Sequence, residues 1–255
     1  MQLVVNRRDE NPELGGGVYE DRLLAFFDIL GFSKLIDESI NDGRKAASIL
    51  GLLANLNKIC AQFQSDGMST TLFSDTICIS YHNPPNFASF CCGLSIIVTS
   101  LLGQGYVVRG AVVRGQLYHK ENVIFGPCLV RAHSLETRLA IFPRIIIDPL
   151  LELSLSDPDE ISLQPVYNDY DGLRCVNFLS PVLLHVVFCL LDMHAGTHVA
   201  ELLTNVSRLI SETSDQAALQ KLHWLRAYAE QTLGSPKPSD LLIDELVRRI
   251  RRASS

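Results

Sequence analysis

Residues 22–35 read Arg-Leu-Leu-Ala-Phe-Phe-Asp-Ile-Leu-Gly-Phe-Ser-Lys-Leu, and the prediction of the fold starts from this segment. Its first half is a compact apolar run that closes on Asp28, which is typical of a buried strand that delivers a carboxylate to its end. A turn follows at once, and Ser33 could cap a helix that runs toward Ile40. Apolar residues at three- and four-residue spacing then predict a further helix over residues 44–63. The expected order is strand, helix, helix.

A second acid lies at the tip of a predicted hairpin. The β-prone segments 70–73 and 76–81 flank Ser74 and Asp75, a pair short enough to form the turn. Two carboxylates on adjacent strand ends can hold two divalent cations against a triphosphate, so Asp28 and Asp75 are predicted to be metal ligands and catalytic residues. The alternative is structural, with Asp28 capping a helix and Asp75 only forming a turn.

The turn after the first strand is a predicted phosphate-binding site. The backbone amides of Leu30, Gly31 and Phe32 lead into a helix N-terminus, where N–H groups can point at an anion. Gly31 permits close approach of a phosphate. We therefore expect these three residues to bind substrate.

The order of elements along the chain predicts an α+β fold. Residues 87–102 have helical periodicity, residues 106–113 and 115–119 look like a second hairpin, and a helix over 126–140 precedes a strand at 145–147. This order fits a mainly antiparallel sheet with helices on one face, related to the ferredoxin-like arrangement. A doubly wound parallel fold would need stricter alternation.

Three regions are expected. Residues 1–19 contain Asn-Pro and a Gly-Gly-Gly run with little periodicity, so they are predicted to be an N-terminal arm. Residues 20–150 would form the catalytic domain. Residues 151–255 are largely helical in pattern and would form a C-terminal extension.

Composition argues against several classes of protein. The 255 residues include 22 Lys and Arg against 28 Asp and Glu, a net charge of −6 that disfavours whole-surface attraction to nucleic acid. The seven cysteines form no C-x-x-C pair, which favours reduced thiols over disulfides or a zinc site. The N-terminus lacks a secretory apolar segment, and the longest apolar stretch is about half of the ~20 residues that a membrane-spanning helix needs. We therefore expect a cytoplasmic protein that binds neither membrane nor nucleic acid.

Three motifs resemble the catalytic domains of class III adenylyl and guanylyl cyclases. The family pattern F-x-D-I-x-G-F-[ST] matches residues 26–33, its second acid matches Asp75, and its later motif G-x-x-V-N-x-A-x-R-L-E matches residues 126–136 in part. The resemblance covers roughly residues 22–147. It implies a class III nucleotidyl cyclase fold, the Ile29 backbone carbonyl as a third metal ligand, and a dimer whose subunits each supply half of a catalytic groove.

Four positions depart from the purine cyclases. Thr71 lies at the base-recognising position, usually Lys or Glu, and Val123 at its partner position. Val130 and Ser134 replace the usual transition-state Asn and Arg. The chain is therefore either an inactive cyclase-like module that binds nucleotide or a cyclase that handles another base. Thr71 remains the predicted base contact, and its hydroxyl can donate or accept, so it excludes neither pyrimidine.

The second interpretation fits the bacterial pyrimidine cyclases of the Pycsar antiphage systems, which this chain resembles. Residues 143–146, Pro-Arg-Ile-Ile, and the late pattern K-x-x-W-L-x-x-Y at 221–228 extend the resemblance. It implies that a homodimer with composite sites uses two Mn²⁺ or Mg²⁺ ions to cyclise UTP or CTP, and that a separate effector protein reads the product. We expect UTP and cyclic UMP; a purine cyclase is the remaining alternative.

Three arginines could neutralise the triphosphate. Arg131 lies on the same predicted helix as the lost arginine position and is predicted to be catalytic, while Arg114 and Arg144 are predicted to bind substrate. The alternative for each is an exposed charge or an ion pair with Glu136 or Asp148.

Overall fold

An eight-stranded sheet forms the centre of the molecule. The computed structural model describes residues 18–62, 67–82, 86–153, 158–190, 195–234 and 248, so nearly all of the predicted arm at 1–19 lies outside the described residues. The strands are β1 (Glu20–Ile29), β2 (Met68–Phe73), β3 (Thr76–His82), β4 (Val108–Lys120), β5 (Val123–Phe125), β6 (Ile145–Ile147), β7 (Val166–Asn168) and β8 (Arg174–Val176). They lie in the order β2-β3-β1-β4-β6-β8-β7, and β5 pairs with β4. The pairs are antiparallel except β4 with β6, which confirms the α+β fold with a mainly antiparallel sheet.

Helices cover both faces of this sheet. They are α1 (Phe32–Ser39), α2 (Gly43–Gln62), α3 (Phe87–Gly103), α4 (Pro127–Leu139), α5 (Pro158–Ser162), α6 (Pro181–Leu190), α7 (Ala195–Glu212) and α8 (Gln216–Leu233). Leu23, Ala25 and Phe27 of β1 face a core shared with α2, α3 and α6 to α8, whereas Leu24 and Phe26 face a second core under α4. The prediction of helices on one face was wrong, because the β1 run is apolar at successive positions and must be covered on both sides.

The second hairpin also differs from the predicted one. β4 continues through Gly115, which lies opposite Arg22 of β1, and the chain reverses only after Lys120, which pairs with Val123 of β5. Pairing with β1 keeps the backbone extended at Gly115, so this glycine does not mark a turn.

The sheet and its core continue beyond residue 150. β8 pairs with β6, and β7 pairs with β8. Tyr228 of α8 stacks on Tyr167 of β7 with their ring centroids 4.8 Å apart. The Tyr228 hydroxyl donates to Asn177 Oδ1 at 2.9 Å and accepts from the Leu179 amide at 3.0 Å. The boundary between a catalytic domain at 20–150 and an extension at 151–255 stays a prediction.

The described residues contain no helix that is long and apolar enough to cross a membrane. The cysteines described there are free and buried. Burial raises the pKa of Cys60 to about 11 and that of Cys78 to about 12, so these thiols are unreactive.

Candidate functional site

The structure brings the two predicted acids together at one edge of the sheet. Asp28 lies at the end of β1, opposite Thr76 of β3, and Asp75 lies in the two-residue turn between β2 and β3. The Ile29 amide donates to the Asp75 carbonyl at 3.1 Å, which ties the end of β1 to this turn. Ser74 holds the turn with a φ of +56°, a left-handed conformation that is uncommon for a side chain other than glycine.

The Asp28 carboxylate lies in an environment that opposes its charge. Burial raises its pKa above the usual value, and the neighbouring Asp75 carboxylate raises it further. A hydrogen bond from Thr76 Oγ1 to Asp28 Oδ1 at 2.7 Å and the charge of Arg109 act in the opposite direction. A bound cation would relieve the remaining penalty, as expected for a site built for metal.

The donor atoms at this edge fit a hard divalent cation. Asp28 and Asp75 offer carboxylate oxygens, the ligands that Mg²⁺ and Mn²⁺ prefer. No group of three or more His, Cys, Asp or Glu side chains that could hold a metal occurs in the part of the chain that the structure describes. Backbone carbonyls, water or substrate must therefore supply the other ligands, and the Ile29 carbonyl remains the predicted one.

The turn after β1 keeps two of its three predicted amides. Gly31 adopts φ +77° as the N-cap of α1, and no side chain caps this helix. Gly31 is needed for its backbone conformation, since a Cβ there would contact nothing within 4 Å. The Leu30 amide, however, donates to the Val107 carbonyl at 2.7 Å. The prediction for Leu30 is corrected accordingly, and the amides of Gly31 and Phe32 remain candidates.

The buried Arg144 does not bind substrate as predicted. Its side chain is 1% exposed and forms ion pairs with Asp169 and Asp171, which lie in the turn between β7 and β8. A further bond reaches the Leu139 carbonyl at 3.1 Å. Because these two carboxylates neutralise the guanidinium, Arg144 instead anchors the β7–β8 turn to the sheet.

The other two predicted arginines are paired as well. Arg131 makes two hydrogen bonds to the Asp148 carboxylate, at 3.0 and 2.9 Å, and holds the pKa of Asp148 below its usual value. Arg114 pairs with Asp21 at 2.9 Å. Arg114 lies five positions from Arg109, the partner of Asp28, so it lies about 17 Å along β4 and on the opposite sheet face. Arg131 thus has the ion pair with Asp148 that was the alternative, whereas the partner of Arg114, Asp21, was not anticipated. Both arginines line an open pocket of about 630 Å³.

Thr71 shares a sheet face with Asp28. Thr71 is paired with Cys78, as is Phe26, and Asp28 lies two residues along β1 from Phe26. The Thr71 hydroxyl lies 2.9 Å from Nε2 of His119. Sequence reasoning missed His119, although His119 lies an even number of residues from Arg109 on β4 and therefore points to this same face.

Two of the departures from the purine pattern, Val123 and Val130, are exposed, and Ser134 is half-buried. Val123 lies on β5, and Val130 on α4 is 70% exposed. Ser134 lies one helical turn after Val130. No cation is supplied by these residues, and the neighbouring Arg131 is held by Asp148.

No family model matches this chain, and no curated protein sequence matches it. Several solved structures are similar to it, among them the following three. The monomeric guanylyl cyclase domain of the RhoGC fusion protein from the aquatic fungus Blastocladiella emersonii is 17% identical with a TM-score of 0.44, over 62% of this chain and 95% of that one. A dimeric guanylyl cyclase domain of the same fusion protein is 16% identical with a TM-score of 0.38, over 51% and 79%. The adenylyl cyclase CyaB from P. aeruginosa is 16% identical with a TM-score of 0.37, over 61% and 93%.

Proposed function

We propose that this protein is a nucleotidyl cyclase that converts UTP, or CTP, to the 3′,5′-cyclic nucleotide and pyrophosphate. The observation that carries the proposal is the meeting of Asp28 and Asp75 at the end of β1 and the β2–β3 turn, tied together by the bond from the Ile29 amide to the Asp75 carbonyl. The raised pKa of Asp28 supports a site that gains from a cation. The proposed setting is the cytoplasm, with the product read by a separate effector in antiphage defence.

The reaction is an in-line displacement at phosphorus. The substrate 3′-oxygen forms a bond to the α-phosphorus, the bond from that phosphorus to the bridging oxygen of the β-phosphate breaks, and pyrophosphate leaves with the electron pair. The 3′-hydroxyl proton passes to water. Bound Mn²⁺ or Mg²⁺ supplies charge neutralisation and lowers the pKa of the 3′-hydroxyl.

Residues of this chain hold and orient the reactants. The carboxylates of Asp28 and Asp75, with the Ile29 carbonyl, would hold two divalent cations. The amides of Gly31 and Phe32 would bind phosphate oxygens at the start of α1, where the helix dipole favours an anion. Thr76 keeps the Asp28 carboxylate in place through its hydrogen bond.

A homodimer with composite sites belongs to the proposal. Phe73 beside the acidic turn is 78% exposed, and Val130 on the outer side of α4 is 70% exposed. Exposed apolar side chains at these places favour burial against a second copy of the chain. The acids of one subunit would then work with base and phosphate contacts of the other, among them Thr71 and Arg131.

A cyclase-like module that binds nucleotide without turnover is the second candidate. Its support is the state of the cations: Arg144 is buried against two aspartates, and Arg131 is held by Asp148. For turnover, Arg131 would have to exchange Asp148 for the leaving pyrophosphate.

Turnover assays separate the two candidates. The purified protein is incubated with each of the four ribonucleoside triphosphates and Mn²⁺, and the products are analysed. Cyclic UMP as the main product is expected, and cyclic CMP would alter only the choice of pyrimidine. A dominant purine product would contradict pyrimidine use, and binding without any product would favour the module. Asp28→Asn serves as the control that carries no activity.

A further inference from the structure

Four polar side chains form a hydrogen-bonded chain across the sheet, from Arg22 on β1 to Thr71 on β2. Arg22 Nε donates to Ser80 Oγ at 2.8 Å, Ser80 Oγ lies 2.7 Å from His119 Nδ1, and His119 Nε2 lies 2.9 Å from Thr71 Oγ1. Arg22, Ser80 and His119 are 4%, 0% and 1% exposed, so water cannot readily replace a missing partner. The hydrogens of the Ser80 hydroxyl and of the His119 ring must therefore find acceptors among the neighbouring protein atoms.

The direction of the chain follows from Arg22. A guanidinium can only donate, so Ser80 Oγ accepts from it and still has one hydrogen of its own to place. Among the described contacts of the Ser80 hydroxyl, the acceptor for that hydrogen is Nδ1 of His119. Burial lowers the pKa of His119 to about 4, so its ring is neutral at pH 7 and carries a single N–H. That hydrogen must then be on Nε2.

Thr71 receives this hydrogen and has one left to give. Its hydroxyl accepts from His119 Nε2 and donates to the Glu121 carbonyl at 3.4 Å, a long and therefore weak bond. A better-placed acceptor on a ligand can replace that carbonyl at little cost. In a complex, the ligand atom that faces the Thr71 hydroxyl should then be an oxygen or nitrogen acceptor and not a second N–H donor.

We propose that the relay from Arg22 through Ser80 and His119 fixes the Thr71 hydroxyl as a donor toward position 4 of the base and so selects uracil over cytosine. Uracil presents the O4 carbonyl where cytosine presents the N4 amino group, and a donor facing an amino group leaves both unpaired. Once the bound base excludes water from this contact, such a mismatch changes affinity about tenfold or more. The inference rests on the proposed function, which assigns Thr71 to the base. His119 and Ser80 are positioning residues, and Thr71 makes the contact.

The first test measures the tautomer of His119 in the free protein. Nitrogen-15 NMR of the full chain distinguishes a protonated Nε2 from a protonated Nδ1, and a His119→Gln spectrum assigns the signal. We expect the hydrogen on Nε2. A ring protonated on Nδ1 would reverse the relay and overturn the inference without touching the proposed cyclase activity.

The second test measures selectivity. Calorimetry compares binding of 3′-deoxy-UTP and 3′-deoxy-CTP, which cannot cyclise, in the presence of Mn²⁺. We expect about tenfold or greater preference for the uracil nucleotide in the wild type and in Thr71→Ser, and loss of that preference in Thr71→Val, which has the same shape without the hydroxyl. An unchanged preference in Thr71→Val would overturn the inference while leaving the cyclase proposal standing. Binding of neither nucleotide would overturn the cyclase proposal, and base selection with it.

Discussion

The hydroxyl of Thr76 on β3 donates to the Asp28 carboxylate on the neighbouring strand β1 at 2.7 Å. This bond is the largest influence that lowers the pKa of Asp28, against a burial effect that raises it. Thr76 therefore helps to keep Asp28 ionised, which is the form that can bind a cation.

Thr76→Val should shift the pH dependence of activity. The substitution removes the hydrogen bond that lowers the pKa of Asp28, so this pKa rises further. At a given pH, a larger fraction of the Asp28 carboxylates is then protonated. The acidic limb of the kcat/KM profile should move to higher pH. At pH values below neutral, the variant should also bind Mn²⁺ more weakly than the wild type. Thr76→Ser, which keeps a hydroxyl, should retain the wild-type profile. An acidic limb that does not move would show that Asp28 is not the group titrating there.

Asp28→Asn should abolish turnover without lowering the thermal stability of the metal-free protein. A carboxylate whose folded-state pKa is raised destabilises the fold above that pKa, so a neutral amide at the same place relieves the penalty. Calorimetry in EDTA should therefore give a Tm equal to or higher than that of the wild type. Mn²⁺ should raise the Tm of the wild type and not that of the variant. Near-normal turnover in Asp28→Asn would contradict the two-cation assignment.

Mixing two inactive variants should restore activity if the sites are composite. Asp75→Ala removes a metal ligand, and Thr71→Trp blocks the base contact. In a mixed dimer, one groove receives both defects and the other receives neither, so one working site is expected. Activity should rise from background after subunit exchange, and recovery should be absent when Asp75→Ala is mixed with Asp28→Ala. Proven exchange without recovery would argue for a site formed within one subunit.

The proximity of Asp28 and Asp75 could be predicted because it depends on local sequence patterns. Asp28 ends an apolar run and Asp75 ends a short turn, and adjacent strand ends bring such residues together wherever the sheet is antiparallel. The relay from Arg22 to Thr71 could not be predicted, because it depends on how far β4 extends. Glu20 at the start of β1 pairs with Leu117, and β4 continues beyond this pair, so His119 reaches β2. Only the strand register reveals that contact.

The roles of the arginines were hidden for a related reason. The partners of Arg144 lie 25 and 27 residues later in the chain, in a turn whose position depends on β8 pairing with β6. A positive charge in a sequence does not indicate whether the fold provides it with an acid. The ion pair of Arg131 with Asp148, in contrast, was anticipated as the alternative to a phosphate contact.

Gly110→Ala should strongly destabilise the protein. Gly110 lies on β4 opposite Phe27, and an added Cβ would lie 2.3 Å from the Phe26 carbonyl oxygen and 2.4 Å from Phe27 Cβ, so the two central strands would have to separate. Overpacking of this kind costs about 3 kcal/mol or more, measured as the free energy of unfolding in urea. Gly51→Ala on α2, where the added Cβ contacts nothing within 4 Å, should instead stabilise the protein by up to about 1 kcal/mol. Equal effects at both positions would contradict the close approach of β1 and β4.

Tyr228→Phe tests how firmly the C-terminal helices belong to the core. The substitution keeps the ring that stacks on Tyr167 but removes the hydroxyl that joins Asn177 and Leu179, leaving a buried acceptor and a buried amide unpaired. We expect the free energy of unfolding to fall by about 1–3 kcal/mol in a single transition, because the same core contains residues of β1 and α8. Tyr170→Phe, at an exposed ring, should change it by less than about 0.5 kcal/mol. If Tyr228→Phe instead produced two transitions, only the weaker one being affected, residues 151–255 would fold separately from residues 20–150, which would support the predicted boundary between catalytic domain and extension.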